Sequence, residues 1–389
     1  MLTFVIGIVI AFHVASCQAL NSEPQSKPNH GESVAKHGSQ DQIRTHDTAA
    51  LFVPGETDIV KIRSFVLAQR LERTTKFSDT WGEGFHAETP YRSAEEEQLD
   101  KNFLISLRNG EYAKIDQFIG QYTSLLPQDP SVTPSPRVLA RLGFLNVWKF
   151  AERYRLLPKG GSFEPAAGQE VLVSLESCAQ YFTRASETDQ KNSIYRGFAA
   201  DCNLAMAETP NGEKFGMTGL SLASQAIRRN PEFNLFTVGY ILSSLPIDRP
   251  EFNLGLEMMW KNLDVCFNTK IDRNNPDVSS FMQTFLPIGH KRFCLNSEIA
   301  PQNFEGFFMI FGDLLVKAGK PAVAKVMYAN AKLLPSFHTW SMRDKLLEKI
   351  ATADQNVAAF KLPVSPTTRP NFETITFHTE KSCMVCHQK

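Results

Sequence analysis

The chain is 389 residues long, 42% hydrophobic and 21% charged, and its 41 basic and 41 acidic residues cancel to a formal net charge of zero. That length is material for two or three ordinary domains or for one elongated helical array. Zero net charge excludes the broad basic field that nucleic acids and anionic membrane surfaces select.

In chain order, the first element is "MLTFVIGIVIAFHVASCQA". Leu2 to Val14 is almost wholly apolar yet short for a bilayer span, and small residues follow it, as in a secretory signal. The stretch "VASC", Val14 to Cys17, resembles a bacterial lipobox. That resemblance implies a signal over residues 1–16, cleavage before Cys17 and lipid on the Cys17 sulfur. It places the chain in the periplasm or at the outer membrane of a bacterium. No Lys or Arg precedes the apolar run, and ordinary cleavage after Ala19 is the alternative. Residues 17–57 are polar, mixed in charge and nearly free of aromatics, so they bury too little to fold and read as a disordered tether. His30, His37 and His46 are solubilising residues along it.

Residues 58–361 read as helical almost throughout. In "FEGFFMIFGDLLVKAGKPAVAKVMYANAKLLP" apolar residues fall at Phe304, Phe307, Phe308, Phe311, Leu314, Leu315 and Ala318, the spacing of one helix face. Gly319 is placed to end this helix in a left-handed conformation and Pro321 to open the next. The second helix repeats the pattern at Ala324, Met327, Tyr328, Ala331 and Leu334, and Pro335 stops it.

This unit resembles a tetratricopeptide repeat. Phe308, the small Gly312, Leu315, the turn Gly319, then Ala324, Tyr328 and Ala331 fall where that family places its packing residues, with Pro335 one position early. A weaker match, "LRNGEYAKIDQFIGQYTSLLP", keeps Gly110, Tyr112 and Pro127. A third runs through Gly219 and Ala226 to Pro231. "PEFNL" occurs at Pro231–Leu235 and again at Pro250–Leu254, each opening a helix. The resemblance implies an all-α array of helical hairpins, a degenerate tetratricopeptide-like solenoid, whose concave surface holds a protein partner. Scaffold alone is the bland alternative.

The body shows no glycine-rich phosphate loop, no "HExxH" and no "GxSxG" elbow. "WGEGFH", Trp81 to His86, reads as a structured loop. His290 in "IGHKRFC" and His338 in "SFHTW" are lone histidines beside aromatics, the setting of hydrogen-bonded structural residues. No enzyme site is visible. Four cysteines lie in the body, and export would expose them to oxidation. Neighbour pairing gives Cys178–Cys202 and Cys266–Cys294, against the alternative of four reduced, buried thiols.

The sharpest signal is "CMVCH", Cys383 to His387, near the end of an otherwise extended tail over residues 362–389. It matches the c-type haem attachment motif. Two thiols separated by two residues reach the two vinyl groups on one porphyrin edge, and the histidine after the second thiol comes under the iron. One covalent haem c on Cys383 and Cys386, with His387 as proximal ligand, is the expectation. Candidates for the distal ligand are His378, His338, His290 and the methionines. A six-coordinate iron would transfer or sense electrons with a redox partner; an open position would permit binding of a diatomic gas or peroxide chemistry. Three alternatives stand: a zinc site of His378, Cys383, Cys386 and His387, a redox dithiol, and a plain disulfide or idle tail. Only Gln388 and Lys389 follow the motif, so any haem must lie against the helical body, a second chain or solvent.

Overall fold

Ser93 opens the first helix of the described residues: its hydroxyl accepts from the Glu96 amide at 3.0 Å, a cap that satisfies one of the orphan donors of the first turn. A computed structural model describes residues 89–207, 209, 212–282, 296, 300–364, 368–376 and 384–388. All lie in one compact unit spanning 63–389. The chain is all-α. Its α-helices are α1 (Ala94–Arg108), α2 (Ile115–Ser124), α3 (Pro136–Leu156), α4 (Pro165–Thr188), α5 (Ser193–Ala207) and α6 (Glu213–Arg229). Among the described residues they continue with α7 (Pro231–Ser244), α8 (Pro250–Phe267), α9 (Asn303–Lys317), α10 (Pro321–Ala329), α11 (Arg343–Phe360) and α12 (Met384–His387). Among the described residues no helix is long and apolar enough to cross a membrane.

Consecutive helices pack on one another, α3 on α4, α4 on α5, α5 on α6, α7 on α8 and α9 on α10, while α5–α7 and α9–α11 join alternate helices. This is an array of helical hairpins. Both "PEFNL" copies begin helices, with Pro231 and Pro250 in the first turn, where the missing N–H costs nothing. Asn230 caps α7 by accepting from the Phe233 amide at 3.2 Å. Gly110 and Gly319 take positive φ, 64° and 77°, at the ends of α1 and α9, the backbone an L side chain resists. Gly312 faces the Tyr328 ring so closely that any Cβ would collide with it.

The second helix of the clearest hairpin is shorter than its periodicity predicts. α10 ends at Ala329, and Asn330–Leu333 and Pro335–Thr339 continue as 3₁₀ turns. At that point Asn330 bridges a distant stretch, donating to the Pro276 carbonyl at 2.7 Å and accepting from the Val278 amide at 3.2 Å. Nor is α9 one-faced. Every residue from Phe304 to Lys317 is buried, because the neighbouring elements surround it. Its charges are therefore compensated inside. Asp313 accepts from Tyr328 Oη at 2.6 Å, Lys349 Nζ at 3.1 Å and the Thr376 hydroxyl at 2.7 Å. Lys317 donates to the carbonyls of Ser244 and Leu245 at 2.8 and 2.7 Å, capping the C-terminus of α7.

The expected pair Cys178–Cys202 is a disulfide joining α4 to α5. Cys266 is also disulfide-bonded; Cys294, its expected partner, lies outside the described residues. The alternative of four reduced thiols is thereby corrected: Cys178 and Cys202 lie on helices packed as neighbours.

Residues 368–376 of the tail are anchored to the helices and their connections. Arg369 pairs with the α3–α4 connection, its amide donating to the Gly161 carbonyl at 2.9 Å and its carbonyl accepting from the Gly160 amide at 2.8 Å. Further on, the Thr376 amide donates to Asp313 at 2.6 Å.

Candidate functional site

Met384–His387 forms a single helical turn, α12, whose side chains enter two of the apolar clusters. Met384 belongs to the apolar cluster of α1–α3, beside Phe103, Tyr122 and Trp148. The next residue, Val385, belongs to the separate cluster built on α8–α11. Both are buried, as is Cys386, while His387 and Gln388 are half-buried. Adjacent residues of one turn point in directions about 100° apart, which is how a single turn serves two cores.

Hydrogen bonds fix the turn from both sides. Trp340 Nε1 donates to the Val385 carbonyl at 3.0 Å, and the Gln302 amide donates to the Cys386 carbonyl at 3.0 Å. Tyr112 Oη donates to Gln388 Oε1 at 3.2 Å. The His387 ring stands edge-on to Phe144 of α3, centroids 5.3 Å apart. Cys386 Sγ is 3.9 Å from the Asn303 carbonyl and lies where Gly306 has no side chain; a Cβ there would collide with the sulfur. Gly306 is interior to α9, where glycine costs about 1 kcal/mol against alanine, and room for Cys386 is what that position gains.

Beside Gly306, Glu305 is fully buried and accepts from Asn296 Nδ2 at 2.8 Å and from the Ser336 hydroxyl. Burial pushes its carboxyl above the usual range, opposed by those two bonds. Two buried polar atoms in the elements around the turn have no hydrogen-bond partner: Trp148 Nε1, one helical turn from Phe144, and Gln302 Oε1.

In donor chemistry the turn suits a c-type haem, since a thiol and an imidazole stand in consecutive positions of one helical turn. The docked position does not fit one. The Cys386 sulfur lies against α9 at Asn303 and Gly306, so a thioether bond from it would have to share that space. Of the other sequence candidates, His338 is exposed in the turn Pro335–Thr339, its ring edge-on to Phe337 at 6.0 Å. Cys17, the loop Trp81–His86, His290, Cys294, His378 and Cys383 lie outside the described residues. No three Asp, Glu, His or Cys side chains converge on a metal position among the described residues, and two of the four expected zinc ligands lie beyond them.

Sequence reasoning missed Gly306, Trp340, Gln302 and Tyr112 as the residues that hold the motif. One signal was present: a glycine inside the phenylalanine-rich run "FEGFFMIF" has no turn to make, so a close approach is the reason left for it. No family model, no curated protein and no solved structure matches the chain.

Proposed function

We propose that this is an exported bacterial protein, periplasmic or tethered to the outer membrane through lipid on Cys17, that carries one covalent haem c at its C-terminus. Cys383 and Cys386 hold the porphyrin and His387 is the proximal ligand. The haem supplies a one-electron iron couple; the helical array, tetratricopeptide-like in its packing residues, docks the protein that gives or takes the electron. The observation that carries this reading is the motif itself, with Cys386 and His387 consecutive on one helical turn. Bonded Cys178 and Cys202 support export, because such bonds persist in oxidising compartments. The test is an absorption spectrum of protein exported alongside the haem-maturation machinery. A Soret band that survives acid–acetone extraction is the expected result; colourless protein refutes the reading.

The burial of Cys386 against Gly306 favours a second reading, a non-haem scaffold of the cell envelope. In it the array assembles other proteins, and the tail residues His378, Cys383, Cys386 and His387 hold zinc or a dithiol. Stoichiometric zinc in colourless purified protein would establish that one.

A further inference from the structure

Glu251 stands in the first turn of α8, only 1% exposed, and its two carboxylate oxygens fare differently. Oε2 accepts from Arg249 Nε at 3.4 Å, while Oε1 has no hydrogen-bond partner among the described residues. The positive end of α8 favours a negative charge there but gives Oε1 no hydrogen bond. A buried charged acceptor without a donor is costly. Glu251 lines a cavity of about 30 Å³, walled by Leu204 and Ala205 of α5 and by Ile241, Leu242 and Leu245 at the end of α7. Ser244 also lines it, and its hydroxyl proton goes to the Ile241 carbonyl at 2.7 Å, so its oxygen is left as an acceptor. Lys317 spends its ammonium on the Ser244 and Leu245 carbonyls, which leaves Oε1 without it. The walls are firm. One turn beyond Glu251, α7 and α8 meet main chain to main chain, because a Cβ at Gly255 would collide with Ser243 and Gly239.

We infer that this cavity binds a primary alkylammonium group, which donates to Glu251 Oε1 while its methylenes lie on the leucine and isoleucine walls. The site stands apart from the haem reading and does not rest on it. Its chemistry selects for a donor: the two polar side chains of the lining offer acceptor oxygens, so a carboxylate or phosphate finds no partner in them. The positive charge answers the one on Glu251, and a charge-assisted hydrogen bond is the stronger kind. Size selects further. About 30 Å³ holds about two water-sized groups, which admits an ammonium and the methylene that carries it. A guanidinium or a tetramethylammonium ion is too large. The same group ends a free alkylamine and a lysine side chain, and the cavity alone accepts either.

The test titrates the full chain with n-butylammonium chloride at constant ionic strength and follows the methyl resonances of Ile241 and Leu242. Saturable shifts are expected in wild type. n-Butanol, of the same length but uncharged, should bind at least about tenfold more weakly, as should tetramethylammonium and guanidinium. Glu251→Gln removes the charge at nearly constant shape and should weaken n-butylammonium by about tenfold or more. Ala205→Leu fills the cavity from α5 without touching the carboxylate, and should abolish the shifts at unchanged helix content; it keeps the test open if the glutamine variant folds poorly. No saturable shift in wild type would overturn the site and leave water as the donor to Oε1. Binding indifferent to both substitutions, or n-butanol as good as the amine, would overturn it too. Nα-acetyl-lysine methylamide separates the sources: shifts with it support a lysine side chain of a protein partner, and shifts with n-butylammonium alone support a free amine.

Discussion

Trp340 Nε1 donates to the carbonyl of Val385 at 3.0 Å, linking two residues 45 apart in sequence inside a buried, apolar setting. Replacing Trp340 with Phe removes the donor and leaves that carbonyl unsatisfied. Such a loss costs about 1–3 kcal/mol. A lower urea midpoint at unchanged slope is expected; an unchanged midpoint would mean that the terminal turn contributes nothing to the folded state.

Gly312 of α9 lies so close to the Tyr328 ring of α10 that a Cβ there would meet it. Gly312→Ala pushes the ring away, and with it the hydroxyl that donates to Asp313 at 2.6 Å. Overpacking of this kind costs about 1–3 kcal/mol, outweighing alanine's better helix propensity. Chemical denaturation of the variant should register the loss, and a variant as stable as wild type would show the ring free to move.

The disulfide Cys178–Cys202 closes a loop with a sequence separation of 24 and ties α4 to α5. The double variant Cys178→Ala, Cys202→Ala should lose about 2–4 kcal/mol. Thermal unfolding with and without reductant provides the check: reductant should lower the midpoint of wild type by more than that of the variant. Equal responses would place the stabilisation elsewhere.

Lys317 sets a pH dependence. Burial lowers its ammonium pKa to about 8, against the higher value of an unfolded lysine. Between those two values the unfolded chain binds more protons than the folded one, so this group makes stability rise with pH across that window. Below about pH 8 both states are protonated and the group adds no slope. Relative to Lys317→Met, wild type should therefore gain stability from pH 8 to 10, by at most about 1.4 kcal/mol per pH unit. Measured midpoints that run parallel over that range would contradict it.

The helical hairpins were legible because their signals are local. Gly319 and Pro321 punctuate the chain by steric rule, "PEFNL" starts a helix twice, and Gly312 and Tyr328 meet through the ordinary geometry of two short, adjacent helices. Neighbour pairing of Cys178 and Cys202 follows from the same closeness. The "CMVCH" motif is local too, and its five letters suggest a chemistry without any fold. What the sequence could not carry is everything that depends on distant partners. α9 looked one-faced because the neighbours that cover its other sides come from several separate stretches of chain, among them Lys349 and Thr376 on Asp313. The docking of the tail joins Gln388 to Tyr112 across 276 residues and Cys386 to Asn303 across 83. Periodicity reports which face of an element is apolar, but only the assembled fold decides what comes to lie against it, and here that decision covers the very thiol the motif advertises.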